Sequence, residues 1–331
     1  MFSVLVLSGI AASARPVDPA LPAYTPQAVT IPAGARYVQA DGEVCINGAE
    51  HAAVMVKGFD ELFQQTHPGF KFAVQLKGTT TGMPALTHGV TLCAPLGREV
   101  NGVELVPYTK IVGQAPVEIH VAHDSNTPGK FATNLAIYVN RANSLAQLTL
   151  EQVARIFARG HPAGGITFWG QLGVKGEWGK LPIHPYATPE ASGFGDYMQK
   201  HVLGGRQLSP AADQFGNTEE LIKRVAEDAN GICLAAIGVT NPGVKLVALA
   251  EKPEGPYSSG STEDVVANKY PLGRHLYFYV RRVPGQPVDP VVKEYFRLIL
   301  SREGQQIIAA EPDGYIPLTA LEAAAELAKL D

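Results

Sequence analysis

The spacing of apolar and polar residues divides the first third of the chain into alternating strands and helices. Three segments have the pattern of strands. The first segment between them places apolar residues on one helical face, and the second is a short helix that follows a tight turn. In chain order these elements are residues 37–46, 52–65, 70–76, 83–88 and 90–94. The β-α-β-α-β order predicts a parallel sheet. The turns at 47–51 and 78–82 then lie beyond the carboxyl ends of its strands, where such sheets bind ligands.

One stretch of the second half, residues 183–198, combines a short strand, a loop and the start of a helix at Ser192 and Gly193. The first N–H groups of a helix have no partner within it and carry a partial positive charge, so a helix start can bind an anion. Ser192 can cap this helix, and Gly193 lets a ligand approach the backbone. We therefore predict that this stretch and the Gly- and Thr-rich turn at 78–82 form facing walls of a cleft between two lobes.

Length and composition indicate a globular protein of about two domains and argue against several function classes. The net charge is −4 and the chain has no basic run, so nucleic acid is not expected as a partner. The sequence has no Walker loop, dinucleotide fingerprint or G-x-S-x-G nucleophile motif, so we predict neither an enzyme nor a cofactor. His120 and His123 would face opposite sides of a strand, so no metal site is predicted.

The three cysteines, Cys45, Cys93 and Cys233, each lie in an apolar, strand-like run. This setting favours buried free thiols, and a bridge between Cys45 and Cys93 is the alternative in an exported protein.

The N-terminal residues 1–14 have a short apolar core and end in Ala-Ser-Ala, which indicates a signal peptide cleaved before Arg15. A buried N-terminal strand is the alternative, because no Lys or Arg precedes Arg15. Residues 15–35 are rich in Pro and Ala and are predicted to form an extended leader.

Several motifs resemble the phosphate-binding proteins of bacterial phosphate ABC transporters in order and spacing. They are ATNLAIYVNRANSLAQLTLEQVARIF at 132–157, ITFWGQLG at 166–173, YPLGRHLYFYV at 270–280, LSREGQQ at 300–306 and GYIPL at 314–318. The resemblance implies an α/β, two-lobed periplasmic-binding-protein fold (type II), with a mixed, mostly parallel sheet flanked by helices in each lobe. Lobe 1 would comprise residues 36–140 and 272–331, and lobe 2 residues 141–271, to within about ten residues.

The resemblance also implies a function. The protein would be periplasmic or secreted, would bind phosphate or a related small oxyanion between the lobes, and would trap it by hinge closure. The membrane subunits of an ABC transporter would be its partners. The alternative is an exported protein that keeps the fold but has a degenerate anion site and a structural or surface-assembly role.

The predicted ligand-binding residues are Gly78, Thr79, Thr80, Thr81, Arg98, Ser192 and Gly193. The sequence departs from the family pattern at four positions nearby. Glu50 stands in a first loop that is rich in Ser and Thr in the family, and Gly97 replaces an acidic or hydroxyl residue. Thr188 replaces an arginine, and Phe194 replaces a threonine. Glu50 either repels an anion or faces solvent, and Arg98 either supplies a compensating charge or lies on the surface.

Overall fold

The computed structural model describes residues 15–127 and 133–331, which form an α/β fold with eleven strands and ten α-helices over those residues. The strands are β1 (Val44–Gly48), β2 (Phe72–Leu76), β3 (Ala94–Leu96), β4 (Val117–His123), β5 (Leu135–Asn140), β6 (Gln147–Thr149), β7 (His184–Ala187), β8 (Asp213–Gln214), β9 (Gly231–Ala236), β10 (Val244–Ala250) and β11 (His275–Val280). The helices are α1 (Ala53–Thr66), α2 (Thr79–Thr87), α3 (Gly102–Val112), α4 (Leu150–Phe157), α5 (Gly193–His201), α6 (Thr218–Glu227), α7 (Thr262–Val266), α8 (Pro290–Ile299), α9 (Arg302–Ala309) and α10 (Ala320–Ala328).

Lobe 1 contains β1–β4, β11, α1–α3 and α8–α10. Strands β1 and β2 pair in parallel, whereas β11 lies between β3 and β4 and pairs antiparallel with both. The antiparallel pairing differs from the mostly parallel sheet expected, because β11 returns from the second lobe in the opposite direction. Two backbone hydrogen bonds, from Leu92 to Cys45 and from Ala49 to Pro95, join the two sheets.

Lobe 2 contains β5–β10 and α4–α7, built on a six-stranded sheet in the order β6-β10-β5-β9-β7-β8. Its pairings are parallel for β6 with β10 and for β7 with β8 and β9, and antiparallel for β5 with β9 and β10. A continuous apolar core under this sheet includes Trp169, Phe157 and Leu234, all fully buried. Strand β5 pairs within this sheet, so residues 135–140 belong to lobe 2.

Two crossing segments connect the lobes, one between β4 and β5 and one just before β11. The side chain of Asn134 joins them. Its Nδ2 donates to the Asp124 carbonyl oxygen (3.0 Å), and its Oδ1 accepts from the Arg274 backbone N–H (2.6 Å). One buried amide therefore fixes the spacing of both crossing segments.

Three local predictions differ from the structure. Of the strand predicted at 90–94, only Ala94 lies in a strand, β3, and residues 90–93 form no helix or strand. The predicted strand at 37–46 begins only at Val44, because the preceding residues form a tight turn in which Gly42 has φ 87° and the Gln39 N–H donates to the Glu43 carbonyl. Helix α3 was not predicted. It starts at an Asn101–Glu104 capping box and contains Pro107, and its apolar residues Val103, Val106 and Ile111 are exposed.

Residues 15–35, predicted as a leader, form no helix or strand and pack on lobe 1. Leu21 is fully buried, and Arg302 donates to its carbonyl oxygen. The signal peptide predicted at 1–14 lies outside the described residues. Cys45, Cys93 and Cys233 are buried free thiols. Within the described parts of the chain, no helix is both long and apolar enough to cross a membrane.

Candidate functional site

A cavity of about 470 Å³ lies between the lobes. Lobe 1 contributes the turn after β1, the start of α2, the loop after β3 and the residue before β11. Lobe 2 contributes the loop after β7 and the starts of α5 and α6. The lining residues are Glu50, His51, Thr79, Gly97, Arg98, Thr188, Ser192, Gly193, Phe194, Gly216, Asn217, Thr218 and Arg274.

Three helices begin at this cavity. Thr79, Gly193 and Thr218 are the first residues of α2, α5 and α6. The Ser192 side chain caps α5 by accepting from the Gly195 N–H at 3.0 Å, as its sequence position predicted. The first N–H groups of a helix lack partners within its own backbone ladder, and the positive end of the helix dipole lies there, so three positive helix ends border the cavity. The backbone alone therefore makes the cleft favourable for a small anion.

The predicted turn at 78–82 contributes less of its side-chain chemistry than expected. Thr79 faces the cleft. Thr80 instead lines the neighbouring groove between α2 and α3. Residues 79–82 form the first turn of α2 rather than a separate turn, and the Thr81 hydroxyl stabilises that helix start by donating to the Gly78 carbonyl at 2.8 Å. Gly78 adopts φ 127° immediately before the helix, a conformation that side chains other than glycine rarely adopt.

Arg98 lies in the wall of the cleft with its charge already matched. Its Nη1 and Nη2 bond the two carboxylate oxygens of Glu104 at 2.8 and 2.9 Å, and the side chain is 16% exposed. The hydrogen bonds to Glu104 raise the pKa of Arg98. Arg98 is thus neither an exposed surface arginine nor a free compensating charge, because Glu104 at the start of α3 holds it.

Arg274 is a cleft residue that was not among the predicted ligand-binding residues. Its guanidinium is buried, with Nη1 at 3.2 Å from Asp124 Oδ2 and Nη2 donating to the Gly97 carbonyl at 3.1 Å. Burial raises the pKa of Asp124 to about 6, and the Arg274 charge acts against that rise. Nε of Arg274 is buried without a hydrogen-bond partner among the described residues. A charged residue directly before an apolar strand, in YPLGRHLYFYV, was the available sequence signal.

Phe194 covers this guanidinium from the side of lobe 2. The Arg274 Cζ lies 5.2 Å from the Phe194 ring centroid and 5.3 Å from that of Tyr197. Both distances are within the range of cation–π attraction. The Tyr197 hydroxyl also donates to the Gly273 carbonyl at 3.0 Å. The phenylalanine that replaces the family's threonine therefore faces the cleft and contacts its arginine.

Charged contacts continue this junction along α5. Glu99, in the loop after β3, is ion-paired with Lys200. Its Oε1 also lies within hydrogen-bond distance of His201, 2.6 Å from Nε2. Lys200 and His201 occupy the last turn of α5, where the negative end of the helix dipole favours cations. A single carboxylate of lobe 1 thus holds the C-terminal end of a lobe 2 helix whose N-terminal end lines the cleft.

His51 occupies the space beside Gly97. A Cβ at residue 97 would lie 2.1 Å from His51 Cε1 and 2.3 Å from Nε2, distances that real structures do not show. Burial lowers the pKa of His51, and the nearby Arg274 charge lowers it further. Glycine at position 97, where the family has an acidic or hydroxyl side chain, is therefore required by the position of the imidazole.

Comparison with known proteins agrees with this architecture. The PBP superfamily domain matches residues 38–303. The phosphate-binding protein PstS of Pseudomonas aeruginosa is 30% identical over 315 residues, covering 94% of this chain and 91% of that protein.

Two solved structures share the fold. PstS from Borrelia burgdorferi has a TM-score of 0.58 at 16% identity and covers 83% of this chain and 98% of its own. An ABC-type phosphate transport receptor from Vibrio cholerae has a TM-score of 0.56 at 22% identity, and the match covers 83% of this chain and 99% of the receptor. These likenesses support the type II periplasmic-binding-protein fold. By the match to the superfamily domain and the 30% identity over nearly the whole length, the chain belongs to the PstS family of phosphate-binding proteins, which are binding proteins and not enzymes.

Proposed function

We propose that this protein binds inorganic phosphate in the cleft between its lobes and delivers it to the membrane subunits of an ABC transporter. The observation that carries the proposal is the convergence of three helix starts and the buried Arg274 on one cavity. Relatives named for phosphate binding, at 30% identity over most of the chain, support the choice of anion. Delivery to a transporter places the protein outside the cytoplasmic membrane, in the periplasm or secreted.

The cleft offers donors of two kinds. Backbone N–H groups at the starts of α2, α5 and α6 suit the oxygens of a compact anion, and the hydroxyls of Thr79, Thr188 and Thr218 lie among them. Hydrogen bonds between such donors and an anion contribute about 1.5–3 kcal/mol each. Only a few of them are needed for a dissociation constant near 1 μM, which corresponds to about 8 kcal/mol.

One observation favours the alternative of a degenerate site with a structural role. The Glu50 carboxylate lines the cleft, and Glu104 and Asp124 already match its two arginines. The net side-chain charge facing an anion is therefore smaller than two arginines would suggest. Calorimetry separates the two functions directly.

The test is titration of ligand-stripped protein with phosphate and, separately, with sulfate. We expect phosphate to bind with a dissociation constant of about 1 μM or lower. Absence of heat with either anion would reject phosphate binding and favour the structural role.

A pair of matched variants locates the site. Ser192→Asp keeps a good helix cap but places a carboxylate in the cleft, and repulsion should weaken phosphate binding at least about tenfold. Ser261→Asp makes the same change at the cap of α7, whose Ser261 accepts from the Asp264 N–H at 3.1 Å. This control should bind phosphate like the unmodified protein. Equal affinities of the two variants would remove Ser192 from the site.

A further inference from the structure

The imidazole of His51 fills the volume that a side chain at position 97 would occupy. Only glycine leaves that volume free, since any Cβ there would lie 2.1 Å from the ring. Both residues line the cleft, together with the starts of α2, α5 and α6. The ring therefore stands at the wall against which the proposed anion is held.

The side-chain charges around this wall nearly cancel. Arg98 is paired with Glu104 at 2.8 Å, and Arg274 with Asp124 at 3.2 Å. The remaining cleft carboxylate, Glu50, is exposed and immediately precedes His51 in the chain. A doubly charged anion entering the cleft thus adds to a surplus of negative side-chain charge, which only the helix dipoles oppose.

His51 is the cleft group that can correct this surplus near neutral pH. Burial and the Arg274 charge lower its pKa, while Glu50 and Asp313 act in the opposite direction. The imidazole is accordingly neutral in the ligand-free protein at neutral pH. Protonation would add a full positive charge and make both ring nitrogens donors. A nearby anion favours the protonated form and raises the pKa.

Resting on the proposed function, we propose that His51 takes up a proton from solvent when the cleft binds a doubly charged oxyanion. The site then holds the dianion against an imidazolium. His51 thereby becomes a specificity-determining residue, because its proton sets the charge that the cleft accepts. Linkage requires the reverse effect as well: affinity for the dianion rises as the pH falls, by up to tenfold per pH unit between the pKa values of His51 in the free and bound protein.

Calorimetry with inorganic phosphate tests the proposal in buffers of different ionisation enthalpy at neutral pH. The dependence of the observed heat on the buffer gives the number of protons taken up. The unmodified protein should take up more protons than His51→Gln, by up to about one. Protonation of phosphate itself contributes to both measurements and cancels in the difference. His161→Gln changes a partly exposed histidine outside the cleft and should match the unmodified protein.

Nuclear magnetic resonance of the unmodified protein gives a second readout that does not depend on the variant binding phosphate. The His51 Cε1–H signal, identified by its absence in the spectrum of His51→Gln, should titrate at a higher pH with phosphate bound than without it. Equal proton uptake by the unmodified protein and His51→Gln, or a His51 signal that phosphate leaves unmoved, overturns this inference alone. Failure of the unmodified protein to bind phosphate anywhere between about pH 5 and 8 overturns the proposed function and this inference with it.

Discussion

The contact between His51 and Gly97 predicts a steric coupling that can be measured without any ligand. In Gly97→Ala the new Cβ would lie 2.1 Å from the ring, well inside the 3.4 Å at which ordinary contacts begin. The backbone cannot easily yield, because the Gly97 carbonyl accepts from Arg274 at 3.1 Å and its N–H donates to the Thr79 hydroxyl at 3.4 Å. The ring must therefore move by about 1 Å or more, and overpacking of this kind costs about 1–3 kcal/mol.

Urea unfolding of four proteins measures that cost: the unmodified chain, Gly97→Ala, His51→Ala and the double variant. Gly97→Ala should lower the free energy of unfolding by about 1–3 kcal/mol, whereas the same change made in His51→Ala should cost little. The double-mutant cycle then gives a coupling of about 1–3 kcal/mol between the two positions.

Gly193→Ala is the matched control, because it is also a cleft glycine and a Cβ there meets no atom within 4 Å. It should be neutral or stabilising by up to about 1 kcal/mol, as expected where the backbone accepts a side chain. The explanation of Gly97 is refuted if Gly97→Ala is as stable as Gly193→Ala, or if the effects of Gly97→Ala and His51→Ala are additive.

Two further predictions concern buried charges. Arg274→Met leaves Asp124 buried without its partner and should lower the free energy of unfolding by about 3–5 kcal/mol. Adding Asp124→Asn should recover most of that loss. An unchanged urea midpoint in Arg274→Met would contradict the pairing. Asp60 is buried and accepts from the Tyr295 hydroxyl at 2.7 Å, and burial raises its pKa from 3.8 to about 7. Stability from the protonated carboxyl is therefore complete below about pH 4 and lost as the pH rises through about 7, by up to about 4 kcal/mol. Thermal melts of Asp60→Asn should lack this pH dependence, and an identical pH profile in both proteins would rule it out.

The fold could be predicted from the sequence because the motifs that indicate it are core strands and helices, whose apolar residues are spaced as the fold requires. The motifs NLAIYVN and LYFYV form the buried strands β5 and β11, and the side chains of Thr149 and Asn217 cap α4 and α6. Helix α3 was not predicted because Val103, Val106 and Ile111 are exposed and Pro107 lies inside the helix, so no single apolar face appears in the sequence. Only its Asn101–Glu104 capping box indicated a helix.

The candidate site could be predicted from the sequence only where backbone groups provide its anion-binding chemistry. Ser192 and Gly193 lie where a helix start had been predicted, since capping is a local property. The roles of the arginines depend on contacts between residues distant in the chain. Arg274 reaches the cleft through β11 and is held by Asp124, and Arg98 is neutralised by a helix that the sequence pattern did not reveal. Side-chain direction in the threonine turn is equally a tertiary property, which separates Thr79 from its neighbour Thr80.

The junction of Glu99 with Lys200 and His201 has a consequence for the population of conformers. These contacts join the lobes through protein side chains alone, so without any ligand they favour the lobe arrangement of this structure, called closed below. Apparent affinity equals intrinsic affinity multiplied by the fraction of molecules already in the binding-competent form. The larger the closed fraction of the ligand-free protein, the smaller the part of the binding free energy that closing the lobes consumes. Since salt screens a partly exposed ion pair such as that of Glu99 with Lys200, the closed fraction, and with it the apparent affinity, should depend on the ionic strength of the surroundings as well as on the concentration of ligand.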